Sequence, residues 1–132
     1  MLDEIDHVAI AVNDLDAAIT FYRNTFGVEV EHREFIASDR VEEAMLKVGT
    51  SYIQLLFPTA PDSPIAKFLE KRGEGIHHVG YRVTDCKAAL ERAKAEGVAV
   101  LDEEPRHGSR GTTVAFIHPK GALGTLIELV QQ

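Results

Sequence analysis

Residues 5–12 read IDHVAIAV, and residues 76–83 read IHHVGYRV. Superposing the two sets His78 on His7 and Val83 on Val12. The match runs on, with VNDLDAA (12–18) against VTDCKAA (83–89) and GVEV (27–30) against GVAV (97–100). A short apolar strand that carries one imidazole at the same place twice is the mark of a duplicated unit. Such a unit cannot bury its apolar face alone, so the two copies should share a core or pair as sheets.

Working outward, β-branched or alternating stretches read as strands at 5–12, 28–36, 41–48 and 51–57, then at 75–83, 98–102, 112–118 and 125–131. Most of them are bounded by Gly, Pro or Asp. Asp14 and Asp85 stand where N-caps belong, ahead of helices expected near 15–26 and 86–96 whose apolar residues recur at helical spacing. The result is an α+β chain of two βαβββ modules in tandem. Module one covers about 1–60, a helical bridge about 61–73, and module two about 74–132, within a single domain.

Composition narrows the function. The 132 residues are 45% hydrophobic and 27% charged, ordinary values for a globular chain long enough to build a real core. The net charge of −7 argues against nucleic acid or an anionic membrane surface as partner. No run approaches the roughly 18 apolar residues of a membrane span. The opening MLDEIDHVAI has neither the basic nor the apolar region of a secretory signal. A single cysteine, Cys86, rules out an internal disulfide and suits a reducing cytoplasm. Cys86 lies where the second helix begins with no partner motif around it, and reads as structural.

Side chains alternate across a strand, so His7 shares a face with Ala9 and Ala11, and His78 with Gly80 and Arg82. The small neighbours Ala9 and Gly80 read as space kept open beside each imidazole. The last strands add two more polar residues at equivalent places, Gln54 within SYIQLLF and Glu128 within TLIELV. An ionised carboxylate on a buried strand is costly unless paired or bound to metal. Each of the four residues taken alone also fits a satisfied strand-start histidine or a solvent-facing edge residue. Together they offer two imidazole nitrogens and two oxygens, a donor set for a borderline-to-hard divalent ion. With only Glu128 charged, the loaded site would stay positive and accept an anionic ligand.

The stretches IDHVAIAV, EEAMLKV, SYIQLLFPT, GEGIHHV, EPRHGSRG, HPKG and TLIELV resemble the vicinal oxygen chelate (glyoxalase and extradiol dioxygenase) superfamily. Within it, the chain is similar along essentially its whole length to the methylmalonyl-CoA epimerases. The resemblance implies a cupped mixed β-sheet with helices packed outside. It also implies a divalent metal ion held by His7, Gln54, His78 and Glu128, with Glu43 as catalytic base. The ion is expected to be Co2+, with Mn2+, Zn2+, Ni2+ or Mg2+ as alternatives. The implied reaction interconverts (R)- and (S)-methylmalonyl-CoA by moving the α-proton through an enolate. Acid-base groups are then needed on opposite faces, and Glu128 is a candidate for the second. The implied partners are an acyl-CoA substrate and a second copy in a homodimer.

Spacing alone reads Glu43 differently: with Met45 and Lys47 it fits the solvated face of a strand. For the CoA tail, PRHGSRG (105–111) offers Arg106, His107, Ser109 and Arg110 among glycines, and the HPKG turn offers Lys120. A solvated hairpin turn explains the same residues. Glyoxalase I, which also moves a proton at a metal site, is the nearest rival. A metal-free small-molecule-binding protein on the same fold is the rival of a different class.

Overall fold

A computed structural model describes all 132 residues. The elements are β1 (Leu2–Ala11), α1 (Leu15–Phe26), β2 (Val30–Ile36), β3 (Val41–Val48), β4 (Ser51–Pro58), α2 (Pro64–Arg72), β5 (Gly75–Val83), α3 (Cys86–Ala95), β6 (Arg106–His107), β7 (Thr113–Ile117) and β8 (Ile127–Gln131). Hydrogen bonding orders the strands β2-β3-β4-β1-β5-β8-β7-β6. The β5–β8 pair is parallel, while β2–β3, β3–β4, β6–β7 and β7–β8 are antiparallel. The α+β class and mixed sheet expected from the sequence are therefore present. The caps are those the sequence offers: Asp14 accepts from the Ala17 N–H and Asp85 from the Ala88 N–H, both at 3.0 Å. Gly27 closes α1 in the left-handed conformation, where a Cβ is unwelcome.

The chain divides into two compact units, Val8–His77 and Met1–His7 with His78–Gln132. In the first, α1 lays Leu15 and Ile19 on Val12, Ala44, Leu46 and Leu55. Helix α2 packs Ile65 against Ala9, Ala11, Val41 and Leu56, with Phe68 and Leu69 alongside. Alternation along β3 puts Ala44 and Leu46 under α1 and Val41 on the opposite face, which Glu43 shares. Ala9 therefore serves the close approach of a helix, as Ala11 does, and not the open space its size implied.

In the second unit, α3 buries Cys86 and Leu90 against Val83, Ala115, Ile117 and Leu129. Burial pushes the Cys86 thiol up to about 11, with the carboxylates of Asp85, Glu128 and Asp102 adding to it. A thiol so placed stays protonated, in keeping with a structural role. The strand expected at 98–102 is reduced to a single bridge, Val100 to Ile117. The Asp102 carboxylate is the reason: it accepts the Phe116 N–H at 2.7 Å, while the N–H groups of Leu101 and Asp102 both turn to the Phe116 carbonyl. A side chain has taken a ladder position, and regular pairing cannot continue through it.

Candidate functional site

On β5 and β8 the parallel register sets Gly80 beside Glu128. His78 lies on the Gly80 face, two residues back along the strand. Gly80 is needed for a steric reason. A Cβ there would stand 2.2 Å from Cε1 of His7, so the imidazole occupies the place a side chain would take. The openness read from Gly80 is thus real, but His7 itself fills it. Nε2 of His7, Nε2 of His78 and Oε1 of Glu128 end mutually 3.0 Å apart. All three residues are buried.

Their supports are as specific. His7 donates its Nδ1–H to Asp6 at 2.8 Å. Asp6 is itself fully buried and accepts from Arg82 Nη2 at 2.9 Å and Arg110 Nη2 at 2.8 Å. Arg82 also pairs with Glu4. A carboxylate on Nδ1 fixes the tautomer and turns Nε2 toward the cluster. Burial disfavours a charged His7, yet the bonds to Asp6 and Glu128 outweigh it and raise its pKa to about 9. Burial lowers the pKa of His78, with His7 adding to the effect and Glu128 opposing it. For Glu128, burial is overcome by the two imidazoles, which hold its carboxyl down to about 2. Asp6 is likewise held well below the carboxylate range: burial opposes this, but His7, Arg82 and Arg110 prevail.

These residues fit a divalent ion. Two imidazoles and a carboxylate converge from buried positions. Their three ligand atoms, 3.0 Å apart, would be the ones to hold it.

Strands β3 and β4 hold a second buried polar group. Register pairs Met45 with Gln54, and Glu43 with Leu56. Glu43 is 0% exposed, so its reading as part of a solvated strand face fails. Its Oε1 accepts from Gln54 Nε2 at 2.7 Å. That bond orients the amide and leaves Gln54 Oε1 buried with no hydrogen-bond partner, an acceptor suited to a cation. His32 on β2 lies 3.9 Å from Glu43 Oε2 through Nε2, and the same nitrogen is 2.8 Å from Glu34 Oε1.

The basic loop separates into unlike members. Arg110 adopts a left-handed backbone (φ 56) that turns its guanidinium inward to Asp6. Arg106 lies over the Phe116 ring at 5.3 Å and bonds Asp102 at 3.3 Å. His107 is exposed, Ser109 lends its carbonyl to the Thr112 hydroxyl at 2.7 Å, and Lys120 stands in an exposed turn. Sequence reasoning passed over Asp6 and His32. The only sign of Asp6 was its place directly before His7, and His32 and Glu34 showed only as two polar residues at strand spacing.

A duplicated strand–helix–strand chain with paired histidines and a closing glutamate defines a class. Residues 6–116 match the family model of the glyoxalase/bleomycin resistance protein/dioxygenase superfamily, and the chain belongs to that superfamily. It is 44% identical to the ethylmalonyl-CoA/methylmalonyl-CoA epimerase of Cereibacter sphaeroides, with 99% of each chain covered. A variant of the Streptomyces coelicolor methylmalonyl-CoA epimerase, solved with 2-nitronate-propionyl-CoA, superposes with a TM-score of 0.97 at 46% identity, covering 100% of this chain and 96% of that one. A methylmalonyl-CoA epimerase solved with methylmalonyl-CoA and ammonium gives the same values. Within the superfamily, the chain groups with the methylmalonyl-CoA epimerases.

Proposed function

We propose that this chain interconverts (R)- and (S)-methylmalonyl-CoA, with His7, His78, Glu128 and Gln54 holding a divalent ion and Glu43 acting as base. The convergence of His7, His78 and Glu128 carries the reading, in a chain similar over its full length to epimerases of this substrate. Gln54 is included for its unpartnered amide oxygen. An ion bound there would supply Lewis-acid stabilisation of the charge that develops on the thioester oxygen.

Glu43 takes the proton from the carbon between thioester and carboxylate, and the electron pair left behind delocalises into an enolate. The Gln54 bond to Oε1 fixes the carboxylate's orientation before substrate arrives. Return of a proton to the other face completes inversion, and Glu128 is the candidate donor. Arg106, His107, Ser109, Arg110 and Lys120 are the proposed contacts for the anionic acyl-CoA. Arg110, already paired with Asp6, acts mainly by steadying His7. Co2+ is the proposed ion, with Mn2+, Zn2+, Ni2+ or Mg2+ as substitutes.

The protein is further proposed to work as a cytoplasmic homodimer. No helix is long and apolar enough to cross a membrane, and exposed Phe21, Phe26 and Phe35 give an interface apolar material. Light scattering at a monomer mass would remove the dimer from the proposal.

The test of function is to incubate methylmalonyl-CoA of one configuration with metal-stripped protein, with and without Co2+. Epimerisation only after reconstitution is expected. Inert protein under both conditions, or lactoylglutathione formed from methylglyoxal and glutathione instead, would overturn the proposal.

A further inference from the structure

We infer that His32 is the relay through which Glu43 returns its proton to water, with Glu34 as the outer acceptor. The inference rests on the reading of Glu43 as base and asks what that reading leaves open. A base that is 0% exposed must still be reset after each turnover. Its bonded neighbour Gln54 donates to it through an amide N–H and takes no proton in return. His32 is a basic group against the other oxygen, 3.9 Å from Oε2. Its side chain is 35% exposed and that of Glu34 is 37% exposed, so the series leads from a buried carboxylate to solvent.

Register explains the alignment. Glu34 pairs directly with Glu43, and His32 stands two residues along the same face of β2. With His32 protonated, its Nε2–H passes to Glu34 Oε1 over 2.8 Å, and Glu34 releases a proton to water. The bare Nε2 then takes the proton from Glu43 Oε2, which restores the imidazolium and the Glu43 carboxylate. One proton leaves through the relay, and His32, Glu34 and Glu43 end as they began. The donor on the other face takes its replacement proton from water. Transfer needs a separation of about 2.6–3.2 Å, so the imidazole must move by roughly 1 Å, within the range of a half-exposed side chain. His32 acts through Glu43 and is a positioning and relay residue.

The test uses His32→Gln, His32→Ala and Glu34→Gln in the metal-loaded enzyme, beside Glu43→Gln. Slow resetting limits turnover at saturation but not the capture of substrate. The His32 variants should therefore lose about tenfold in kcat while kcat/KM stays within about twofold. Added imidazole should restore kcat in His32→Ala and leave the wild type unchanged. Glu34→Gln should show a smaller loss of the same kind, and it keeps the test alive if the His32 variants fold poorly. Wild-type kcat in all three would overturn the relay, as would parallel losses of kcat and kcat/KM without rescue. If Glu43→Gln turns over normally, the base assignment fails first. If it is inactive while the His32 variants are unimpaired, only the relay fails.

Discussion

The β3–β4 hairpin and the β7–β8 hairpin are the same piece of the repeat, yet each places its buried carboxylate on a different strand. In the second copy the charge is Glu128, paired across the ladder with Phe116, and Val114 stands two residues before that phenylalanine. In the first copy the amide of Gln54 pairs with Met45, and Glu43 stands where the second copy has Val114. Each hairpin therefore buries one carboxylate. Glu128 lies 3.0 Å from two imidazole nitrogens and is held ionised. Glu43 has an amide donor on one oxygen and a more distant imidazole toward the other. The first environment suits a ligand that is charged at rest. The second suits a base whose carboxylate is oriented by one amide. Two equivalent frames thus carry their carboxylates on different strands, and the proposed roles of ligand and base follow that difference.

The strongest challenge to that division exchanges each carboxylate for its amide. Glu43→Gln keeps the shape but cannot accept a proton. Turnover should fall by about 10² to 10⁴, the usual contribution of a positioned acid-base group, with metal content and melting temperature little changed. Glu128→Gln should instead lose metal, and elemental analysis separates the two outcomes. His7→Ala and His78→Ala should follow Glu128→Gln. His77→Ala should keep its metal, because its ring sits edge-on to Phe68 at 5.0 Å. If Glu43→Gln loses metal and Glu128→Gln keeps it, the comparison is reversed.

A smaller effect is expected behind His7. Asp6→Asn keeps a partner for Nδ1 but removes the charge that holds the ring, and the loss of such a support typically costs 10–100-fold in metal affinity. Arg110→Ala should move metal affinity in the same direction and by less, since Arg82 still holds Asp6 at 2.9 Å. Competition against a chelator measures both. An unchanged affinity in Asp6→Asn would make the Asp6–His7 bond a matter of folding alone.

The same bond sets a pH dependence of the metal-free protein. The stabilisation from His7, whose pKa is raised to about 9, is complete below its ordinary 6.5 and is lost as pH rises through 9. His78 is shifted the other way, so its contribution is present above 6.5 and is lost as pH falls. Glu128 adds stability above its ordinary 4.5 that disappears as pH falls toward 2. For this cluster, stability should peak near pH 6.5 and decline to either side. Loading with Co2+ should remove the alkaline decline, because a bound ion replaces the proton on His7. Melting temperatures of both forms between pH 5 and 10 give the readout. A flat profile for the metal-free form would mean that the histidines are not shifted in opposite directions.

These contrasts also mark what the sequence made legible. The buried cluster of His7, His78 and Glu128 was legible because the repeat printed equivalent positions twice, and the same logic proposed Gln54 beside them. Glu43 was singled out only by the resemblance, since EEAMLK alternates like a wet strand face and only the tertiary covering makes it dry. Asp6 was hidden for a related reason: in LDEIDH it belongs to a charged run that reads as solvated, and its burial depends on arginines 76 and 104 residues away. The strand expected at 98–102 failed because one carboxylate, Asp102, competed with the backbone for Phe116. Periodicity reports which face a residue takes, but not what later covers that face.

The smallest expected effect divides the two arginines that the sequence placed together in PRHGSRG. Arg110 is committed to Asp6, whereas Arg106 is 42% exposed and is held by Asp102 and the Phe116 ring. That ring in turn meets His78 edge-on at 5.3 Å. Arg106 is thus a preset, water-accessible cation one ring removed from the imidazole cluster, a fitting contact for an anionic substrate. An exposed ionic contact contributes about 0.2–1 kcal/mol, which corresponds to at most about a fivefold change in an equilibrium. Arg106→Ala should therefore raise KM by a few-fold and leave kcat and metal content as they are. Arg110→Ala should do the converse, weakening metal while KM measured at saturating Co2+ stays near the wild-type value. If both substitutions raise KM equally and neither moves metal affinity, the two arginines act together on substrate, and the inward turn of Arg110 has no bearing on His7.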